Sequence, residues 1–171
     1  GNIVCGANTL YLGMNAGAPG TLAYTAGTVT GKFQRWVTLT GTPYLFPVGT
    51  SAYDRPALFT FSSLTNGTLG MEFVSSDPGN DGLPLTGDSG KDIDAQFTEG
   101  YWDAVAGNGL TSGNFAMELT GNGFTSYPVG ASTRIIRRTA GNPWSLSSSG
   151  THVSGTGNTA KRSAVNGLSA Q

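Results

Sequence analysis

Residues 56–73 read PALFTFSSLTNGTLGMEF, and the placing of apolar side chains in this stretch sets the fold class. Phe59 and Phe61 alternate with Leu58 and Thr60 just after Pro56, and Leu69, Met71 and Phe73 alternate with Gly70 and Glu72. A period of two puts each apolar set on one face of a strand, whereas a helix would need spacings of three and four. Asn66-Gly67 lies between the two runs, and Asn-Gly supplies the positive-φ pair that a two-residue hairpin turn requires. The stretch predicts strands over 59–64 and 68–73, paired as an antiparallel hairpin.

The same alternation extends outward in both directions. Phe115, Met117 and Leu119 oppose Ala116 and Glu118, and the run KFQRWVTLT at 32–40 places Phe33, Arg35, Val37 and Leu39 on one side. Residues 133–139 set Ile135 against Arg134 and Ile136, with shorter strand candidates at 9–12, 22–24, 44–46, 101–105, 144–146 and 161–165. Asn108-Gly109, Asn122-Gly123, Gly141-Asn142-Pro143 and Asn166-Gly167 punctuate these runs with turn residues. No ten-residue stretch carries helical periodicity with caps. Short strands recurring about every ten residues predict an all-β protein, an antiparallel β-sandwich of immunoglobulin-like or jelly-roll type, over residues 31–171. Residues 1–30 are Gly- and Thr-rich with short β segments, and read equally as the last coils of a β-solenoid or as two edge strands. Residues 75–99 hold most of the acidic residues and few strand formers, which predicts a long loop that is either functional or partly disordered.

Composition agrees with a sheet protein. The 171 residues include 27 Gly and only 11% charged residues, where an ordinary globular chain has about 25% charged. Thr, Ser, Asn and Gly take the polar positions, as turns and strands prefer. A net charge of −1 without a basic stripe argues against nucleic-acid binding. Arg134, Arg137 and Arg138 form the densest basic group, and alternation along a strand would split them between two faces as solvated charges. No apolar run reaches the roughly 18 residues of a membrane-spanning helix, so no membrane insertion is expected. The one cysteine, Cys5, excludes an intrachain disulfide and reads as a small buried apolar residue or as a reactive or intermolecular thiol. Strand-like sequence from the first residue suggests a mature or excised piece of a longer protein.

Candidate chemistry is sparse. A Ser–His–acid arrangement has only His152 to draw on, and no G-x-S-x-G elbow accompanies it, so a surface histidine without a task is expected. One His and one Cys cannot assemble a zinc set. Calcium is the better metal hypothesis, with Asp88, Asp92 and Asp94 in DSGKDID as the weak candidates and Asp77, Asn80 and Asp81 as a second group. Neither group matches the EF-hand spacing. Glu99 with Asp103, or Glu72 with Glu118, are the carboxylate pairs a glycosidase would need, and nothing sets their environments apart. Trp36, Trp102 and Trp144 read as core residues before they read as sugar platforms. The chain is therefore expected not to be an enzyme and to carry no cofactor.

One block adds a resemblance. Arg35-Trp36, then Tyr44-Leu45-Phe46-Pro47-Val48-Gly49, then Tyr53-Asp54-Arg55-Pro56, is similar to a module that recurs in very large secreted proteins of the Bacteroidota. Gly100-Tyr101-Trp102, Trp144 and Asn166-Gly167-Leu168-Ser169 fit the same pattern, so the likeness runs from about residue 27 onward. It implies a β-sandwich carried in cell-surface adhesins and stalk proteins exported by the type IX system, with no catalytic residues to carry over. The sorting domain that usually ends such proteins is not in this sequence. Within the motif, Pro47 and Pro56 fix φ, Gly49 permits a turn, and Arg55 is expected to satisfy carbonyls near the Tyr44 or Tyr53 ring. The expectation is a non-catalytic structural or adhesive module of an extracellular surface or fibre protein, polymerising by strand addition. Its partners would be neighbouring modules, identical subunits or surface glycans, and the alternative is a carbohydrate-binding module.

Overall fold

A computed structural model of the chain describes residues 1–146 and 150–169. These form strands β1 (Ile3–Leu12), β2 (Val29–Val37), β3 (Pro43–Phe46), β4 (Ala57–Thr65), β5 (Gly67–Val74), β6 (Leu85–Asp88), β7 (Lys91–Ile93), β8 (Tyr101–Gly107), β9 (Thr111–Thr120), β10 (Thr151–Thr156), β11 (Thr159–Val165) and β12 (Leu168–Ser169), and no helix. Two sheets pack face to face. The smaller runs β1-β2-β5-β8, and the larger runs β10-β11-β9-β4-β3 with β12 also on β9. These strands all pair antiparallel except β1 with β2, and β6 and β7 make a separate small hairpin. The chain is a β-sandwich, as the alternation requires.

The core lies where the inward faces meet. Phe33 and Val37 of β2 and Leu69, Met71 and Phe73 of β5 come from the smaller sheet; Phe46, Phe59, Phe61 and Phe115 come from the larger. Phe59, Phe61 and Phe115 stack within the larger sheet at centroid spacings of 5.6–6.2 Å, and Phe33 meets Phe46 edge-on at 5.9 Å across the sandwich. Each such aromatic pair contributes roughly 0.5–1.5 kcal/mol beyond simple burial.

Several details depart from the sequence reading. β4 and β5 do not pair: β4 lies between β3 and β9, while β5 lies between β2 and β8 in the other sheet. The link at Asn66-Gly67 is a crossing between sheets, and Gly67 is there for space. A Cβ on it would stand 2.2 Å from the Leu110 nitrogen and 2.6 Å from the Gly107 oxygen. The positive-φ turn forms instead at Asn108 (φ 49) and Gly109 (φ 82), closed by Leu110 N–H to Gly107 O at 3.0 Å. It too joins strands of different sheets.

Strand β2 ends at Val37, so Leu39 is 59% exposed and does not join the inward set. The Tyr44 hydroxyl accepts the N–H groups of Thr38 (3.0 Å) and Leu39 (2.8 Å), which takes both donors away from any ladder. Residues 133–139 form only an isolated bridge, Arg137 with Ser145, although Ile135 is buried as the pattern expects. Residues 22–24 are not a strand. The candidate at 144–146 reduces to the same bridge, while 9–12, 44–46, 101–105 and 161–165 fall in β1, β3, β8 and β11. Of residues 1–30, β1 forms the edge strand of the smaller sheet, one of the two readings of this segment, and β2 begins at Val29.

Candidate functional site

Among the described residues, no strand pairs with the outer side of β1 or of β8, the two ends of the smaller sheet. At one end lies β1, ten residues without a single charged side chain. The Ile3 N–H donates to Thr28 O at 2.9 Å, on the side of β2. Alternation then turns the backbone groups of Val4 outward, away from β2. Val4 is 73% exposed and Tyr11 66%. Cys5, Leu10 and Leu12 pack against the core from this strand, so the Cys5 thiol is free and partly buried. The parallel register with β2 slips between Val4 and Thr9, where Gly6 takes φ 58. Long, uncharged edges of this kind are what most monomeric proteins blunt with lysine or proline.

At the other end lies β8. Met71 of β5 is buried opposite Ala104, on the inner face of the sheet, yet Ala104 is exposed. The reason is that, among the described residues, no strand follows β8 in its sheet. Among the described residues the smaller sheet stops after four strands while the larger continues through β11 and β10, so Met117 and Leu119 of β9 and Ala160 of β11 are roofed by the end of β7 and by irregular chain from 94–97 and 121–144. Between β8 and that roof runs a cleft of about 960 Å³ bordered by every residue of Tyr101–Ala106. A sealed apolar void of that size would cost on the order of 20 kcal/mol, above the whole stability of a typical domain. It persists because it opens to solvent.

The predicted calcium loop serves the roof. Asp88 is buried and its carboxylate pairs with the equally buried Arg162 of β11 and with Arg134 Nε at 3.4 Å. Arg134 also reaches Ser132 O (2.7 Å) and the His152 ring, Nη1 to Nε2 at 2.9 Å. A guanidinium only donates, so Nε2 accepts and the ring is neutral. Burial, then the Arg134 charge, lower the His152 pKa; Asp88 opposes them. His152 is therefore a partner in a buried charge cluster and not an idle surface residue. Asp92 accepts the Gly87 N–H at 3.0 Å, and Asp77 accepts the Gly79 N–H at 2.8 Å. Among the described residues no three His, Cys, Asp or Glu side chains converge as a metal set. Asp88, Asp92 and Asp94 thus do not come together around one point.

The other predicted groups are also engaged in holding chain to chain. None of Arg134, Arg137 and Arg138 sits on a strand face. Arg137 donates to Asn166 O and Gly167 O, and Arg138 donates to Pro78 O while lying 4.4 Å from the Trp144 ring centroid. Trp144 donates its indole N–H to Gly79 O at 2.7 Å and is half-buried, as is Trp36 on the outer face of β2. Trp102 packs on Phe73 at 5.1 Å and donates to Arg55 O.

Glu72 and Glu118 lie on different sheets, and Glu118 is paired with Lys161 at 3.1 Å. Glu99 does not face Asp103 across a cleft. Its carboxylate accepts the backbone N–H groups of Thr125 (2.5 Å) and Ser126 (2.6 Å) and both hydroxyls. Burial pushes its pKa up, but those hydrogen bonds more than offset this and bring it to about 2. Arg55 is buried in an aromatic cage, 4.4 Å from Phe73, 4.7 Å from Phe124 and 5.5 Å from Tyr53, with Nε donating to Asn122 O. Burial lowers its pKa and the Glu99 charge raises it. Neither predicted carboxylate pair shares a dry site with opposed roles.

A second, shallower groove of about 570 Å³ is bordered by the rings of Tyr24 and Tyr53 with Asn2, Ser51 and Asp54. Comparison with known proteins found no matching family model, no matching curated protein and no matching solved structure.

Proposed function

We propose that the chain is a non-catalytic structural or adhesive module of an extracellular surface or fibre protein, joined to its neighbours by strand addition. The observation that carries this reading is the open outer edge of β1: ten uncharged residues, outward backbone groups at Val4, and exposed Val4 and Tyr11 side chains. Main-chain hydrogen bonds along such an edge supply affinity, and exposed apolar side chains add to it. Asp88, Glu99, Arg134, Arg137, Arg138, Arg162 and the sole histidine act as fasteners between loops and strands, which suits a load-bearing scaffold. The resemblance of most of the chain from about residue 27 onward to secreted surface modules supports the location.

The test uses the whole chain. Val4→Pro removes the outward N–H and leaves the Ile3 bond to Thr28 in place, and Tyr11→Lys adds a charge to the same edge. Sedimentation velocity and electron microscopy of the wild type should show concentration-dependent oligomers or fibres, and the double variant should stay monomeric. A monomeric wild type at high concentration, or a variant that assembles equally well, would overturn the reading.

A carbohydrate-binding module is the second reading, and the Tyr24–Tyr53 groove is the observation in its favour. Tyrosine rings stack on sugar faces while Asn2, Ser51 and Asp54 offer hydrogen bonds. Saturable retention on a polysaccharide affinity gel, lost on Tyr24→Ala, would establish it.

A further inference from the structure

We infer that β1 of one copy of this chain pairs with β8 of another, so that the smaller sheet continues from molecule to molecule. This rests on the strand-addition reading above and names its partner. The two strands are the opposite ends of one sheet, ordered β1-β2-β5-β8. Among the described residues neither strand has a further strand on its outer side, and β8 is bordered along Tyr101–Ala106 by the cleft.

The cleft is the place where a fifth strand of the smaller sheet would lie. Ala104 faces inward from β8 but is exposed, and beyond it Met117, Leu119 and Ala160 of the larger sheet have only the irregular roof above them. A strand added at the β8 edge would border that row, while the inward side chains of β1, Cys5, Leu10 and Leu12, stay on their own core. β1 suits the position because Ile3–Leu12 brings no charge into a cleft floored by apolar side chains. With its register slip, β1 lies opposite Val29–Arg35 of β2, seven positions, which matches the seven residues of β8.

Pairing unlike edges gives a heterologous contact. Such a contact repeats without closing unless a rotation brings it round, so it builds a filament and not a symmetric dimer. Lysine and proline, the usual guards of an edge, are absent from both strands.

Cys5, the only cysteine, makes the contact testable in the whole protein. Wild-type chain, carrying Cys5 on β1, is mixed with a chain bearing Cys5→Ser and one new cysteine on β8: Asp103→Cys, Ala104→Cys or Val105→Cys. Paired strands hold opposite Cα atoms at about 4.5–5.5 Å, within disulfide reach. Mild oxidation should link the two chains at one of the three positions several-fold faster than at its neighbours, since register selects one partner. Sedimentation of the same samples separates the two claims. No link, or equal slow linking at all three, in samples that still assemble would overturn the β8 assignment and leave strand addition through β1 standing. Monomers throughout would remove both. Native mass spectrometry showing single chains with a small apolar molecule bound would give the cleft to a ligand and also overturn the inference.

Discussion

Asp88, carried inward by β6, is ion-paired with Arg162 of β11, and both side chains are buried between the roof and the larger sheet. Arg162 lies on the inner face beside Met117, its partner on β9, where water does not reach it. Such a pair is weak evidence for stability, but removing one member leaves a buried charge without compensation. Asp88→Asn would strand Arg162 and Arg134 together. The expected loss is about 3–5 kcal/mol in urea unfolding. A loss under about 1 kcal/mol would mean that solvent reaches the cluster.

Glu99 ties the start of β8 to the turn at Thr125–Ser126, and its sign with pH follows from its depressed pKa. The folded-state value is about 2 against an ordinary 4.5, so the stabilisation is complete above about 4.5 and is lost as pH falls from there towards 2. A shift of that size corresponds to roughly 3 kcal/mol in full. The carboxylate is partly solvated, so about 1–2 kcal/mol is the expected contribution. Glu99→Gln should flatten the stability profile between pH 5 and 2.5, read as the urea midpoint; an unchanged acid slope would show that other carboxylates produce it.

His152 sets a second window at higher pH. Its folded pKa lies below the ordinary 6.5, because burial and the Arg134 guanidinium oppose a second positive charge. The unfolded chain then takes up the proton first, so stability is full above 6.5 and falls as pH drops below it. His152→Gln keeps an acceptor for Arg134 without the titration. The wild-type Tm should fall between pH 7.5 and 5.5 and the variant's should change less; parallel curves for the two would exclude His152 as the cause.

The inward faces were legible because alternation is local. Phe59 and Phe61, Leu69 to Phe73, and Phe115 to Leu119 lie where a period of two puts them, and sheet membership follows only from long-range pairing that no local pattern encodes. The roof was illegible for the opposite reason. Residues 75–99 and 121–146 owe their order to single long-range fasteners such as Asp88–Arg162, Glu99–Ser126 and Trp144–Gly79, so their charged residues read as solvated or as metal ligands. The cleft beside β8 has almost no sequence signature, since it is defined by a strand that, among the described residues, the sheet lacks. Ala104 gave the only trace, a small residue at an inward position.

Asn66-Gly67 shows how a correct turn signal led to a wrong pairing, and the two glycines of the crossings make this measurable. Gly67 does not have a positive φ, and its constraint is the approach of Leu110 and Gly107, whose backbone atoms cannot shift without opening the sandwich. Gly109 has φ 82, and a methyl group added there would meet its nearest neighbour at 4.0 Å, so only conformational strain resists substitution. Gly109→Ala is therefore expected to cost about 1–2 kcal/mol, the usual penalty of a left-handed L-residue. Gly67→Ala should cost more than that, about 3 kcal/mol or above, because a backbone clash adds to the packing loss. If β4 and β5 were a simple hairpin with Asn66-Gly67 at its tip, the ranking would reverse, since Gly67 would then carry only strain. Chemical denaturation of the two single variants decides between these orders.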